Sequence, residues 1–574
     1  MKKKWLVTIS IIMNLMLIFT ACDGAESVDS GENISSLDNV TDVNTYVSDE
    51  QEESKDYAGK AMVFSEEEIW VTPQRFFTED AVIEIDFPEN AKVYYTTDGS
   101  EPNTNAKEYT KPIVLEAAEG SFPGCLLLKA KAYYGDGTKS EVVTHTFFAQ
   151  TTLAERFETV IFSISGEPKE LMYGINGTFY DDNVYERGRD SEREIYIEAM
   201  DSDGSLLFEQ GAGVRPYGGA SRGASIKSMK LFARKEYDPE HGKFKTDVFG
   251  TIGENGRVMD KYDKLVLRNY GNDFQFAFIR DELNQRLVAQ MGYTGCEAVV
   301  PAVVYLNGEY YGLFYLHENY CDDFFKDKFG DGEGSYEVLE GNERHKSESD
   351  DDPENVAAAK EFNQTYKRLA YSDLTNEENY KQLCEFIDVE NYLQYYAYNI
   401  YINNNDWPQN NYKCYRYYTA EGEKYGKEEQ DGRWRFLFHD MDFSMGLYGS
   451  DETVANYNNL RHILDEEDDR YSPLFANLMK REDCKQYFLD EINAIMTGPL
   501  WSVNVERTLD KMNAERAQEM VYYFEHLESM KETDDSIWIW YEEYEKRTQN
   551  IKKFAKERKD YMLKFLKEEL GAEL

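Results

Sequence analysis

Positive charge is scarce in this chain. Its 63 Lys and Arg stand against 109 Asp and Glu, a formal charge of −46. Such a field repels phosphate backbones and anionic lipid, so nucleic acid is excluded as a partner and membrane contact is confined to a lipid anchor. Cysteine is sparse as well. Cys22, Cys125, Cys296, Cys321, Cys384, Cys414 and Cys484 lie far apart and form no CxxC pair. Zinc knuckles and dithiol redox motifs therefore have no signal, and disulfide pairing stays open. The seven His include no HExxH spacing, which removes the usual zinc-hydrolase signature. No internal repeat is visible. Aromatic rings, by contrast, are abundant at 14% of residues, 44 of them Tyr, and they supply amphipathic contact area for core and surface. A chain of 574 residues exceeds one small core, so two or three domains are expected.

The start of the chain has its own grammar. Lys2, Lys3 and Lys4 precede a mostly apolar, uncharged run from Trp5 to Phe19, and the small residues Thr20 and Ala21 lead into Cys22. These are the parts of an export signal, and the run falls short of the ~20 residues of a spanning helix. The Ala21-Cys22 junction resembles a lipobox. That resemblance implies a signal peptide over residues 1–22, a lipidated Cys22 and an extracytoplasmic protein anchored to the cell membrane. An ordinary signal peptide or an uncleaved anchor is the alternative. Residues 23–62 follow as an acidic linker, with eleven acidic residues and one Lys between Asp23 and Gly59. Such a segment buries too little apolar surface to offset chain entropy, and reads as a disordered spacer.

From 63 to 150 the pattern changes to short alternating runs: 81–86, 91–96, 111–115, 126–133 and 141–147. Asp98-Gly99, Pro102 and Gly135-Asp136-Gly137 supply the turns, and the spacing predicts a small antiparallel β-sandwich. The run from Tyr94 to Pro102, with Lys129 to Tyr133, resembles the chitobiase/β-hexosaminidase C-terminal-type module. That resemblance implies an accessory part, either a spacer or a carbohydrate-binding surface.

Residues 154–574 read as α+β with a helical C-terminal part. Strand-like segments at Val160, Glu194, Met229 and Lys264 precede a helical period from Ala277 to Met291. Ala302 to Leu316 carries an Asn307-Gly308 hairpin signal. Val356 to Ala397 and Pro473 to Leu574 are mostly helix-like, and the acidic stretch from Glu340 to Glu354 reads as a surface loop.

One region carries candidate chemistry. Asp406 and Asn411 are five apart, and after a loop Phe436-Leu437-Phe438 delivers Asp440 and Asp442 at a strand end. Alternate residues on a strand face one side, so both carboxylates meet one cation. A carboxylate and an Asn at this separation match the base and metal-binding Asn of a protein-kinase catalytic loop. The same residues also suit blander roles. Asp406 and Asn411 fit a helix cap or Asx turn, and Asp440 and Asp442 fit a structural Ca²⁺.

Here the sequence resembles the spore coat protein H (CotH) kinase family. The resemblance is carried by Gly213 to Arg222 with Lys227 and Lys230, by Leu265 to Asn269 with Arg280-Asp281, and by Gly308 to Glu318. The chain departs from the family pattern at Phe314, at His439, and at Gly446, which is displaced from a DFG-like position. Membership implies an atypical protein-kinase-like domain that moves phosphate from ATP to Ser or Thr of an exported or surface protein substrate. By position Asp406 would be the base, and Asn411, Asp440 and Asp442 the ligands of Mg²⁺ or Mn²⁺. Lys227 would contact phosphate, helped by Arg215 or Arg268, with Glu318 as partner for the lysine. Arg215, Arg268 and Glu318 also suit an internal salt-bridge set. The alternative function is a catalytically inactive kinase-like scaffold or adhesion protein.

Overall fold

The computed structural model describes residues 62–63 and 74–574, apart from 173–175, 181, 331, 333, 348–352, 420–426, 450–453, 532–533, 535–536 and 538–540. The export signal, Cys22 and the acidic linker up to residue 61 lie outside these residues. Among the described residues no helix is long and apolar enough to cross a membrane.

Besides a short parallel pairing of Met62–Val63 with Ile85–Asp86, seven strands build the first module: β1 (Phe76–Phe77), β2 (Ala81–Ile83), β3 (Ala91–Thr96), β4 (Lys107–Glu108), β5 (Ile113–Leu115), β6 (Gly124–Tyr134) and β7 (Val143–Ala149). Five form one sheet in the order β1-β7-β6-β3-β4, while β2 pairs with β5. Alternation drives the packing. Val93, Leu126, Leu128 and Phe147 share a core with Ala81, Ile83, Ile113 and Leu115 of the separate pair. The expected antiparallel sandwich is thus corrected to a five-plus-two arrangement with one parallel edge, where β1 runs alongside β7. A two-residue strand carries no period from which its direction could be read.

A closed seven-stranded barrel comes next, and the sequence pattern did not foretell it. Its strands are β8 (Val160–Ser165), β9 (Arg193–Met200), β10 (Leu206–Pro216), β11 (Met229–Phe232), β12 (Lys264–Arg268), β13 (Val299–Leu306) and β14 (Glu309–His317). The order β8-β9-β10-β11-β12-β14-β13 closes where β13 pairs in parallel with β8. Register puts Phe162, Ile197, Ala212, Val214, Leu231, Leu267, Leu316 and Val304 on one face. All eight are buried, and they fill the interior. The opposite face carries Ser163, Glu198, Arg215, Lys230, Arg268 and His317. The turn at Asn307 and Gly308 has φ of 51° and 86°, as the predicted Asn-Gly hairpin requires.

The module and barrel share a buried seam. Every residue of β7 is buried, because its second face rests on the barrel. The Phe148 ring lies 4.9 Å from Tyr305 and 5.8 Å from Phe157. Thr146 Oγ1 donates to Glu198 at 2.6 Å, and Arg75 Nη2 bridges Glu198 and Glu209 at 3.0 and 2.8 Å. A module read as a spacer is therefore continuous with the barrel core.

Helix α1 (Arg280–Ala289) lies between β12 and β13. After the barrel come α2 (Asp322–Phe329), α3 (Pro353–Ala370), α4 (Glu377–Phe386) and α5 (Val389–Ile402), then α6 (Asn459–Leu464) and α7 (Pro473–Leu478). Helices α8 (Glu482–Thr497), α9 (Ser502–Ala514), α10 (Ala517–Met530) and α11 (Tyr541–Leu570) complete the chain. The Asp388 carboxylate caps α5 by accepting from Asn391 N. The expected loop to Glu354 is shorter than read, since α3 begins at Pro353, a residue suited to a first helical turn. A small three-stranded sheet of β15 (Ser335–Leu339), β16 (Lys413–Tyr418) and β17 (Arg435–Leu437) packs among these helices. The six described cysteines are free.

Candidate active site

Two loops carry the acids. The first leaves α5 through Asn403, whose φ of 56° ends the helix in the left-handed conformation. The second leaves β17, which is buried but runs Arg435–Leu437 rather than the expected 436–438. It turns at Asp440 with φ of 52°, so a turn and not strand alternation sets the directions of Asp440 and Asp442. Two backbone hydrogen bonds tie them, Asn405 N to Phe443 O and Met445 N to Ile402 O, each 3.0 Å. Asp406, Asp440 and Asp442 are brought together by this crosslink.

Asp406 accepts from Asn410 Nδ2 and Asn411 Nδ2, both at 2.8 Å. Burial pushes its carboxyl up to about 6, and the charge of Asp440 adds to the shift. A carboxylate poised there suits proton transfer near neutral pH. Burial opposes ionisation of Asp440, but the Arg268 guanidinium and then His439 hold it below the usual range. Asp442 is fully buried and pushed well above that range by burial and by Asp440. It accepts from Asn272 N at 2.6 Å and from Arg268 Nη2 at 3.0 Å. The same Nη2 contacts Asp440. Gly271 allows this approach: a Cβ there would sit 2.1 Å from Asp442 Oδ2 and 2.6 Å from Arg268 Nη2.

The barrel's outward face supplies cations. Arg215 lies opposite Lys230, and Lys230 opposite Val266, so both share a face with Arg268. Partial burial, then Lys264 and Lys413, pulls the Lys230 ammonium down to about 7. Lys413 of β16 pairs with Glu340 at 3.2 Å. The Arg215 guanidinium rests over Phe232 at 4.5 Å, and its Nε is 3.9 Å from Glu192. On the same face His317 sits between Glu282 and Glu297 at 3.3 and 3.2 Å. Burial opposes its charge, yet these two hydrogen bonds push it up to about 9.

Lys227 and Glu318 are the sequence candidates that the structure leaves apart. Lys227 precedes β11; its backbone N donates to the Tyr311 hydroxyl and its Nζ to Ala224 O, each at 2.9 Å. Glu318 accepts from Thr251 Oγ1 at 2.6 Å and Ala298 N at 2.8 Å. No ion pair joins it to Lys227 among the described residues. Lys230, which the sequence reading quoted only within a motif, shares the outward face with Arg268, and strand parity was the signal that could have singled it out. Asp281 was quoted only as part of a motif. It stands 3.4 Å from Arg268 Nε and accepts from Met441 N at 2.9 Å.

A remote residue sets the first loop. Arg558 of α11 is fully buried and donates to Ile400 O, Tyr401 O, Ala455 O, Tyr457 O and Asn459 Oδ1 at 2.7–2.8 Å. Two of these are the last carbonyls of α5, where a cation complements the helix dipole. Arg558→Met leaves five acceptors unpaired and should cost about 3–5 kcal/mol in urea unfolding. An unchanged midpoint would refute this anchoring role.

Two family models match the chain. One, described as CotH kinase protein, covers residues 214–562. The other, described as Fn3 associated, covers residues 83–147, so the module that resembles a chitobiase-type part in sequence matches under that description. None of the curated proteins matches the chain.

Proposed function

Because this chain belongs to the CotH kinase family, we propose that it transfers phosphate from ATP to Ser or Thr hydroxyls of exported or surface proteins, anchored to the cell membrane through lipidated Cys22. The observation that carries this reading is the pair of crosslinked loops, which sets Asp406 within electrostatic reach of Asp440. Asp406 would orient the acceptor hydroxyl and take its proton. Asn411, Asp440 and Asp442 would hold Mg²⁺ or Mn²⁺. Their all-oxygen donor set suits a hard cation, and burial beside Asp440 keeps Asp442 above the usual carboxylate range even with Arg268 at 3.0 Å, so a further positive charge would favour its ionised form. Bound there, the cation would neutralise the phosphate charge that develops during transfer. Lys230, Lys413 and Arg215 would face the phosphates.

The full chain, γ-labelled ATP, Mn²⁺ or Mg²⁺ and a generic Ser/Thr substrate test this reading. Label should enter the substrate with wild type and not with Asp442→Asn. No transfer, combined with no nucleotide-dependent rise in melting temperature, would reject it. Arg268 favours a second reading. Its guanidinium already neutralises Asp440 and Asp442, as an inactive kinase-like scaffold would need. In that case the N-terminal module would carry function by binding carbohydrate or cell wall, and glycan binding by the full chain would be the measurement.

A further inference from the structure

Two thiols meet at one hydroxyl where α4 approaches the start of α8. The Cys484 thiol, in the first turn of α8, donates to the Tyr380 hydroxyl at 3.4 Å. Cys384 follows Tyr380 by one turn of α4, so the two share a helix face. Its thiol is in hydrogen-bond contact with the same hydroxyl. Arg481, just before α8, lies over the Tyr380 ring at 3.7 Å and donates to Leu374 O and to Glu377, both at 3.0 Å. The starts of the two helices are thus fastened at this corner, and the sulfurs reach it from both sides. Burial raises both thiols, while Tyr380 and Arg481 act against it at each sulfur. Cys384 is partly exposed, which gives a solvent-borne reagent access to the pair. The other described cysteines face different groups. Cys125 lies near Glu198, Cys296 donates to Tyr293 O at 3.3 Å, Cys321 lies near Lys264, and Cys414 near Lys346 and Arg416.

We propose that Cys384 and Cys484 form a disulfide that fastens α4 to α8. The reaction is exchange with an incoming disulfide such as oxidised glutathione. A bond forms between the two Sγ atoms, the incoming S–S bond breaks, and its halves leave as two thiols with the two protons and two electrons. The covalent loop so closed spans about 100 residues, and long loops restrict the unfolded chain most. Asp406, Asn411, Asp440 and Asp442 all lie within it. The disulfide therefore constrains the segment that carries the candidate acids. The inference rests on the proposed export only for oxidising surroundings.

The full chain tests it, equilibrated with oxidised glutathione in excess, quenched in acid, alkylated under denaturing conditions and digested without reductant. Mass spectrometry should find a peptide joining Cys384 to Cys484, with Cys125, Cys296, Cys321 and Cys414 alkylated. Reduction should lower the melting temperature of wild type by about 2–5 °C and leave that of Cys384→Ser unchanged. Alkylation of both Cys384 and Cys484 in wild type overturns the inference. So does a link from either to another cysteine, or a glutathione adduct retained on either. Protein alkylated during lysis of the cells separates this idea from the proposed export. A link that forms with glutathione but is absent from the cellular protein sinks the extracytoplasmic placement alone.

Discussion

Asp406→Asn is expected to lower phosphate transfer by about 10²–10⁴-fold, the range of a lost general base, while making the protein more stable at pH 8. Both effects come from one carboxyl. Burial and the neighbouring Asp440 hold it at about 6, above the ordinary value of Asp. Below that ordinary value the carboxyl is protonated whether the chain is folded or not, so it does not affect stability. As pH rises, the unfolded chain ionises first, and above about 6 the folded chain carries a buried charge that it accommodates poorly. Stability present at low pH is lost across that window. Asparagine keeps the shape and removes the charge, so the melting temperature should rise at pH 8 and stay level at pH 3. Wild-type transfer should fall about tenfold per unit below pH 6, where the base is protonated. A variant that retains transfer, or a pH profile flat through 6, would show that Asp406 is not the base.

Removing residues 74–150 should prevent the remaining chain from folding cooperatively. The sequence reading of this module as spacer or accessory part predicts the opposite. Deletion would expose Tyr305 and Phe157, which pack on Phe148. It would also strip Glu198 of Arg75 and Thr146. With the module in place Glu198 is almost fully buried, and there an unpaired carboxylate, as Arg75→Met would leave it, costs about 3–5 kcal/mol. That is a large part of the 5–15 kcal/mol by which domains are usually stable. Arg75→Met isolates the same charge more gently and should lower the unfolding free energy by a similar amount, read from urea denaturation. A shortened protein with a sharp near-ultraviolet signal and an unchanged midpoint would establish the module as separable.

What the sequence by itself determined were local matters. The Asn307-Gly308 turn, the strand from Arg435 to Leu437, the strands at Val160, Glu194, Met229 and Lys264, and the helices after Val356 follow from propensity, period and turn chemistry. These act within a few residues and need no partner. Asp406 with Asn411, and Asp440 with Asp442, stood out as pairs because each lies close in sequence, while the backbone crosslink between the two loops is what brings the pairs together. Barrel closure was not. It requires β13 to find β8 across some 140 residues, and the apolar burial that drives it looks alike for open and closed sheets. β7 hides its partner in the same way: buried on both faces, it reads as any buried strand. Only the tertiary structure showed that register turns Lys230 outward on the face that carries Arg268. It also brought Asp281 from α1 to the guanidinium that Asp440 and Asp442 share. Charges so distant in sequence meet only once the backbone has closed around them, and their strength there depends on the burial that the fold itself creates.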